Sequence, residues 1–227
     1  MKNSTKLEVL AEYTRRLKEL HDHVRARRKP ELDKDFNDPQ KEVIKAIFQD
    51  GYKRLFLRKG RKGGGTESIL YPVCRIAGTL DNRACYIIGP THATQREILW
   101  SNQRLQRYVP SSWIKTPREW DTRLVLNNGS YVKVWGANDW KNMVGVEGDI
   151  FVFDELADHD PRAYMNCYPN IASRDAVWIV LGAPPVQRVK SSFYYKLEQQ
   201  IRKDPDWKFI QWPTWENSDF LPGGRPC

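Results

Sequence analysis

Five short apolar runs punctuate the chain, each bounded by polar or turn-forming residues: RLFLRKG (54–60), RACYIIGP (83–90), DIFVFDE (149–155), AVWIVLGAPP (176–185) and WKFIQWP (207–213). Continuous apolar runs of this length, rich in β-branched and aromatic residues, predict strands buried on both faces. Between them, apolar positions recur at helical spacing. Asp38-Pro39 opens QKEVIKAIFQDGY as an N-cap with proline at the first helical position. Further helices are predicted from Thr66 to about Gly78, across HATQREILWSNQRLQRY (92–108), from Pro161 to Tyr168, and across SSFYYKLEQQIRK (191–203). TRLVLNNGSYVKVWGA (122–137) reads as a hairpin turning near Asn127-Asn128-Gly129. Strands alternating with helices predict an α/β fold, a mainly parallel sheet sandwiched by helices.

The two ends break this rhythm. Residues 5–28 place Leu7, Leu10, Ala11, Leu17, Leu20 and Val24 at roughly helical spacing on an otherwise polar segment, an N-terminal helical appendage. KPELDKDFNDP (29–39) reads as a linker, and so does the tail ENSDFLPGGRPC (216–227). The predicted organisation is a helix and linker over 1–36, a core domain over 37–220, and the start of a further linker over 221–227.

Charge sharpens the picture at the N-terminus. Residues 1–62 hold 18 Lys/Arg against 10 Asp/Glu, a net +8 of the chain's +9. Such a basic third is a candidate surface for nucleic acid or another polyanion, or a solvated helix face. No run approaches the roughly eighteen apolar residues of a membrane span. Cys74, Cys85, Cys167 and Cys227 form no C-x-x-C pair, so the cysteines suggest neither a zinc site nor a disulfide framework. A reducing, cytosolic setting fits best.

Chemistry concentrates at two strand ends. RKGRKGGGTES (58–68) packs four glycines into six residues between a strand and a helix. That arrangement presents several backbone N–H groups at a helix N-terminus, an anion site. The usual phosphate loop reads G-x-x-x-x-G-K-[ST], with lysine on the β/γ-phosphates and the hydroxyl on Mg²⁺. With Thr66 as that hydroxyl, the lysine position is Gly65. DIFVFDELAD (149–158) ends an apolar strand in adjacent carboxylates, the Walker B pattern. There Asp154 would hold the water shell of Mg²⁺ and Glu155 would orient and deprotonate the attacking water. Ligands of open α/β sheets bind at the carboxyl ends of strands, where both motifs would lie. Asp158 and Asp160 read as a solvated turn and a helix cap, and His92 and His159 lack partners at metal-ligand spacing.

With these motifs in this order, the chain resembles the ATPase domain of phage large terminases, the motors that package viral DNA, from about Asn37 to Phe220. The resemblance implies a P-loop NTPase core of the ASCE type. DPQ resembles the adenine-recognition motif, with Gln40 on the base; YIIGPTHATQREILW resembles the segment after the second strand. VLGAPP resembles the motif coupling hydrolysis to movement, centred on Gly182, Ala183 and Pro184. Terminase loops often read R-x-x-G-K-T, which RKGGGT (61–66) fits except at Gly65. Some family members keep the lysine at the start of the loop, where Lys59 stands here. The loop then reads as a working variant: Lys59 supplies the displaced cation, Lys62 is a second candidate, and Gly60, Gly63, Gly64 and Gly65 cradle phosphates. Arg61 matches the family's loop arginine, which stabilises charge on the γ-phosphate. An inactivated loop is the alternative.

The resemblance further implies ATP and Mg²⁺, double-stranded DNA, a portal protein and a small terminase subunit as partners. It implies a homo-oligomeric ring on the portal, commonly a pentamer, working in the host cytoplasm without a membrane. The family's nuclease domain would begin beyond residue 227, so no nuclease activity is expected here. Val144 stands where many terminases carry an arginine before the glycine leading to Walker B, and no role transfers to it. The rival readings are a DNA helicase or remodelling ATPase, and a non-hydrolysing DNA-binding or assembly module with a vestigial ATP site.

Overall fold

The computed structural model describes residues 36–169, 175–185 and 191–214. The helix expected over 5–28 and the tail from 215 lie outside these residues. One eight-stranded sheet organises the rest, in the order β3-β4-β5-β2-β6-β7-β1-β8. Its strands are β1 (Arg54–Lys59), β2 (Ala84–Gly89), β3 (Ile114–Arg118), β4 (Arg123–Leu126), β5 (Tyr131–Gly136), β6 (Ile150–Phe153), β7 (Val177–Gly182) and β8 (Trp207–Trp212). From β5 to β8 every pairing is parallel; β3 and β4 add an antiparallel edge. The helices are α1 (Asp38–Phe48), α2 (Gly65–Thr79), α3 (His92–Gln95), α4 (Pro161–Cys167) and α5 (Phe193–Ile201).

Strand alternation sorts the core into two layers. Leu55 and Leu57 of β1, Ile150 and Val152 of β6, and Ile179 and Leu181 of β7 pack in one cluster with Val43 of α1 and Ile69, Leu70 and Val73 of α2. The intervening Phe56, Phe151, Phe153, Trp178 and Val180 pack in the other with Tyr164 of α4 and Tyr194 and Leu197 of α5. One layer is thus mainly aliphatic and the other mainly aromatic. The period of two runs to the last residues of β1. Lys59 follows Leu55 and Leu57 toward α2, whereas Arg58 goes the other way to Glu198 of α5, at 2.9 Å.

Three local readings are corrected. The N-cap of α1 is Asn37, not Asp38. Asn37 and Gln40 cap each other reciprocally, Asn37 Oδ1 accepting from the Gln40 amide and Gln40 Oε1 from the Asn37 amide, both at 3.1 Å. The helix expected over 92–108 is broken into α3, a π-turn over Arg96–Ser101 and a 3₁₀ turn over Leu105–Tyr108. Between the last two, Gln103 takes a left-handed conformation (φ 52°) and Asn102 donates its side-chain amide to the Glu97 carbonyl at 2.9 Å. That local bond competes with helix continuation. The strand β3 is absent from the sequence reading. Pro117 weakens its pattern and is tolerated at the sheet edge.

Candidate functional site

The site lies at the carboxyl ends of β1, β7 and β6, three adjacent parallel strands. After Lys59 the chain turns through Lys62 (φ 57°) and Gly64 (φ 74°) into α2. The loop is braced by the end of β8, a support that no local sequence signal marks. Gly60 N–H donates to the Trp212 carbonyl at 2.9 Å, and the buried Trp212 indole Nε1 donates to the Gly63 carbonyl at 2.7 Å. The Thr214 hydroxyl donates to the Arg61 carbonyl at 2.7 Å. A side chain on Gly60 would collide with the Thr214 backbone, its Cβ falling 2.4 Å from that nitrogen. No side chain caps α2, so its first N–H groups remain available to an anion.

Gly65 now has a steric explanation. A Cβ placed there would fall 2.1 Å from Lys59 Cδ and 2.6 Å from Lys59 Cε. The Lys59 stem occupies the space in which a side chain at the usual lysine position would begin. Its ammonium, nearly buried, meets Glu155 Oε1 at 2.5 Å. Lys62 lines the cleft from the exposed tip of the loop. Arg61 is exposed and is not among the residues lining the cleft.

Across the loop stand the two carboxylates. Asp154 is 2% exposed; its Oδ2 accepts from the Thr66 hydroxyl at 3.0 Å, while Oδ1 is buried with no hydrogen-bond partner. Burial, and then the neighbouring Glu155 charge, push its pKa up to about 6 against the pull of Lys59, Thr66 and a nearby Gln95 amide. A buried carboxylate oxygen without a partner, beside a hydroxyl and a phosphate-type loop, suits a hydrated divalent cation. Glu155 sits in the left-handed region (φ 56°, ψ 47°), and its Oε2 accepts from Ala183 N–H at 3.3 Å. Gly182 permits this approach: a Cβ there would lie 3.2 Å from the Leu156 nitrogen and 3.4 Å from Glu155 Cα. Lys59, Thr66, Asp154, Glu155, Gly182 and Ala183 therefore converge. Pro184 lines a different pocket, behind the sheet, with Arg58 and Tyr194. His159, a lone histidine by sequence spacing, is also part of the site. Its Nε2 donates to the Asp154 carbonyl at 2.6 Å, and burial holds its pKa down near 4.

The cleft beyond Thr66 has a volume of about 750 Å³ and is walled by Phe36, Gln40, Lys62, Arg104, Arg107 and Tyr108. Gln40 is fixed there by its cap and by donating to the Gly64 carbonyl at 3.4 Å, linking the expected base-binding residue to the loop. Glu67, directly after Thr66, accepts from Arg104 Nε at 2.6 Å and from the Tyr108 hydroxyl. Arg104, Arg107 and Tyr108 are hidden from sequence reading because the periodicity predicts one continuous helix through them. Among the described residues no cluster of His, Cys, Asp and Glu forms a metal site of its own, and Asp160 caps α4 by accepting from Arg162 N–H at 3.0 Å.

The strand β7 lies between the two motif strands and ends at Gly182, with Ala183 directly after it. Solved structures similar to this chain include phage large terminases. The large terminase of a thermophilic bacteriophage matches 81% of this chain and 47% of its own, with a TM-score of 0.68 at 14% identity. The fold is that of the phage large-terminase ATPase domain. The ATPase domain of the Thermus phage P74-26 large terminase matches 78% of this chain and 81% of its own (TM-score 0.57, 17% identity). The HK97 bacteriophage large terminase matches 78% and 39% (TM-score 0.58, 15% identity). The first of these terminases has also been solved with ADP and with ATP-γ-S. This chain spans about half the length of that protein. No protein-family model matches the sequence, and no curated protein matches it either. At these identities the terminase likeness is one of fold.

Proposed function

We propose that this chain is the ATPase motor domain of a viral large terminase, hydrolysing ATP to drive double-stranded DNA into a procapsid. One observation carries the reading: the Lys59 stem fills the space over Gly65, so the loop's missing lysine is replaced from the end of β1. A decayed loop has no reason to keep a buried lysine against the catalytic carboxylate, which disfavours the vestigial-site alternative. Backbone amides of Gly64, Gly65 and Thr66 and the Lys59 ammonium bind the phosphates of ATP, whereas Gly63 N–H, donated to the Gly60 carbonyl at 3.0 Å, shapes the turn that presents them. Thr66 and Asp154 would hold Mg²⁺, which when bound neutralises charge on the β- and γ-phosphates. Asp154 must then be ionised, and a bound cation would draw its raised pKa down.

Glu155 orients and deprotonates the attacking water. In the resting site it is engaged by Lys59 and by Ala183 N–H. An incoming phosphate competes with Glu155 for Lys59, freeing the carboxylate only when nucleotide is in place. The Ala183 contact passes the state of Glu155 to the 182–184 segment, the coupling role proposed for Gly182, Ala183 and Pro184. Gln40 recognises the base through the amide hydrogen its loop contact leaves over. Arg61 acts on the γ-phosphate only after moving toward the cleft. The partners are double-stranded DNA, a portal protein, a small terminase subunit and further copies of this chain in a ring, commonly a pentamer, in the host cytoplasm. The domain limits are those read from sequence, a core over 37–220 with a helical appendage over 1–36.

The test is steady-state ATP hydrolysis with and without double-stranded DNA. Turnover stimulated by duplex DNA supports the motor. Turnover unaffected by duplex but stimulated by single strands favours the helicase, and no turnover with intact nucleotide binding favours the assembly module.

A further inference from the structure

The turn that presents both carboxylates has an unusual requirement. β6 leaves its ladder with β7 at Phe153, which pairs with Val180. The next carbonyl, that of Asp154, is buried one residue beyond the last pairing with either β2 or β7, so neither ladder supplies it with a donor. Its own N–H is held by the Ile88 carbonyl at 2.8 Å. The chain then enters the left-handed conformation at Glu155, a non-glycine residue, before a 3₁₀ turn closed by Asp158 N–H on the Glu155 carbonyl at 3.0 Å and His159 N–H on the Leu156 carbonyl at 3.1 Å. Left-handed backbone at a non-glycine residue persists only where its surroundings over-determine it. His159 closes this circuit. Buried, with its ring tilted against Phe153 at 6.0 Å, it returns Nε2–H to the orphaned Asp154 carbonyl at 2.6 Å.

We propose that His159 is a positioning residue: by tying the Asp154 carbonyl to the end of the following turn, it holds Glu155 in the left-handed conformation. Its carboxylate is then aimed between Lys59 and Ala183, where the attacking water must be oriented. This inference rests on the ATPase reading for its kinetic consequences but not for its geometry. The bond needs a donor at one place and no charge. Glutamine can supply that N–H; phenylalanine fills the space without donating, and alanine does neither.

The experiment compares His159→Gln, His159→Phe and His159→Ala with the unaltered chain, measuring ATP turnover, ATP-γ-S affinity by calorimetry, and thermal melting. Loss of a bond that orients a reacting group costs roughly 10- to 100-fold. His159→Phe and His159→Ala should lose that much in kcat, with ATP-γ-S affinity within about threefold of the unaltered chain, and His159→Gln should recover most of the loss. Unchanged kcat in His159→Phe, or a loss that follows melting temperature equally in all three variants, overturns the proposal. A second readout stands apart from hydrolysis: the ¹⁵N spectrum of the unaltered, nucleotide-free chain identifies the protonated ring nitrogen. The Nε2–H tautomer is expected; an Nδ1–H tautomer overturns the positioning role even if the chain hydrolyses no ATP.

Discussion

Placing any side chain at Gly65 sets two effects against each other. Gly65 is the first residue of α2 and carries no left-handed conformation, so alanine meets no backbone penalty there. Helix propensity alone would favour alanine by up to about 1 kcal/mol. Against this, the new Cβ would lie 2.1 Å from Lys59 Cδ, with Leu181 Cδ1 a further tight neighbour at 3.3 Å. Overpacking of this kind costs about 1–3 kcal/mol, so the clash wins and Gly65→Ala destabilises the native chain. It should also displace the Lys59 ammonium and weaken nucleotide binding. Truncating the lysine reverses the sign: in a Lys59→Ala background Gly65→Ala should be neutral or stabilising, because only the Leu181 contact remains. If Lys59 binds phosphate as proposed, Lys59→Ala alone should lose a charge-assisted contact, roughly 1.5–3 kcal/mol or ten- to a hundredfold in affinity or turnover. Lys62→Ala should cost far less, and Gly65→Lys should partly rescue Lys59→Ala by growing into the vacated space. Urea denaturation and ATP-γ-S calorimetry on the four chains of the cycle measure the coupling. If Gly65→Ala has the same effect with and without Lys59, or if Lys59→Ala binds nucleotide normally, the displaced-lysine account fails.

Three further outcomes are expected. Trp212→Phe keeps the buried ring but removes the 2.7 Å donor to the Gly63 carbonyl; stability should fall by about 1 kcal/mol and ATP-γ-S affinity several-fold, whereas a stability loss with unchanged affinity would show that the loop is held by other contacts. Asp154 and His159 give opposing pH dependences without Mg²⁺: with a pKa raised to about 6, Asp154 contributes stability present below about pH 4 and lost as pH rises through 6, while His159, lowered to about 4, contributes stability present above its ordinary value near 6.5 and lost as pH falls through 4. Each is worth about 3 kcal/mol and they offset, so relative to the unaltered chain Asp154→Asn should lose stability on going from pH 6.5 to 4 and His159→Gln should lose it from pH 4 to 6, parallel curves for all three contradicting the pairing. Deleting residues 1–30 should reduce both DNA affinity and its salt dependence if the basic N-terminal third contacts phosphates, and unchanged binding would reassign that segment to packing or protein contacts.

The parts of this molecule legible in the sequence are those set by short-range rules. β1, β2, β6, β7 and β8 follow from apolar runs, and the placement of Lys59 and Asp154 on the α2 side follows from alternation once the strands are fixed. What escapes depends on contacts distant in sequence. Trp212 braces Gly63 from 149 residues away, and no local pattern marks a core tryptophan as a loop support. Arg104 and Tyr108 reach Glu67 because the chain breaks at Asn102 and Gln103, where apolar periodicity continues but a side-chain amide captures a helix carbonyl. Metal-ligand spacing says nothing of His159, whose partner is a backbone carbonyl five residues earlier. The Asn37 cap differs from the expected one by a single position because Asp38-Pro39 is also a good helix start, and only the reciprocal bonds with Gln40 decide between them.

Lys59, Thr66, Asp154 and Glu155 are proposed to form a working ATP hydrolase whose base is Glu155. The most direct test is phosphate release from Mg·ATP by the unaltered chain and by Glu155→Gln, with ATP-γ-S affinity measured on the same samples. Turnover is expected in the unaltered chain and its abolition in Glu155→Gln, with nucleotide affinity retained or raised, since the neutral amide releases Lys59 to the phosphates. Turnover surviving near its original rate in Glu155→Gln, or none in the unaltered chain with or without DNA, would contradict that proposal.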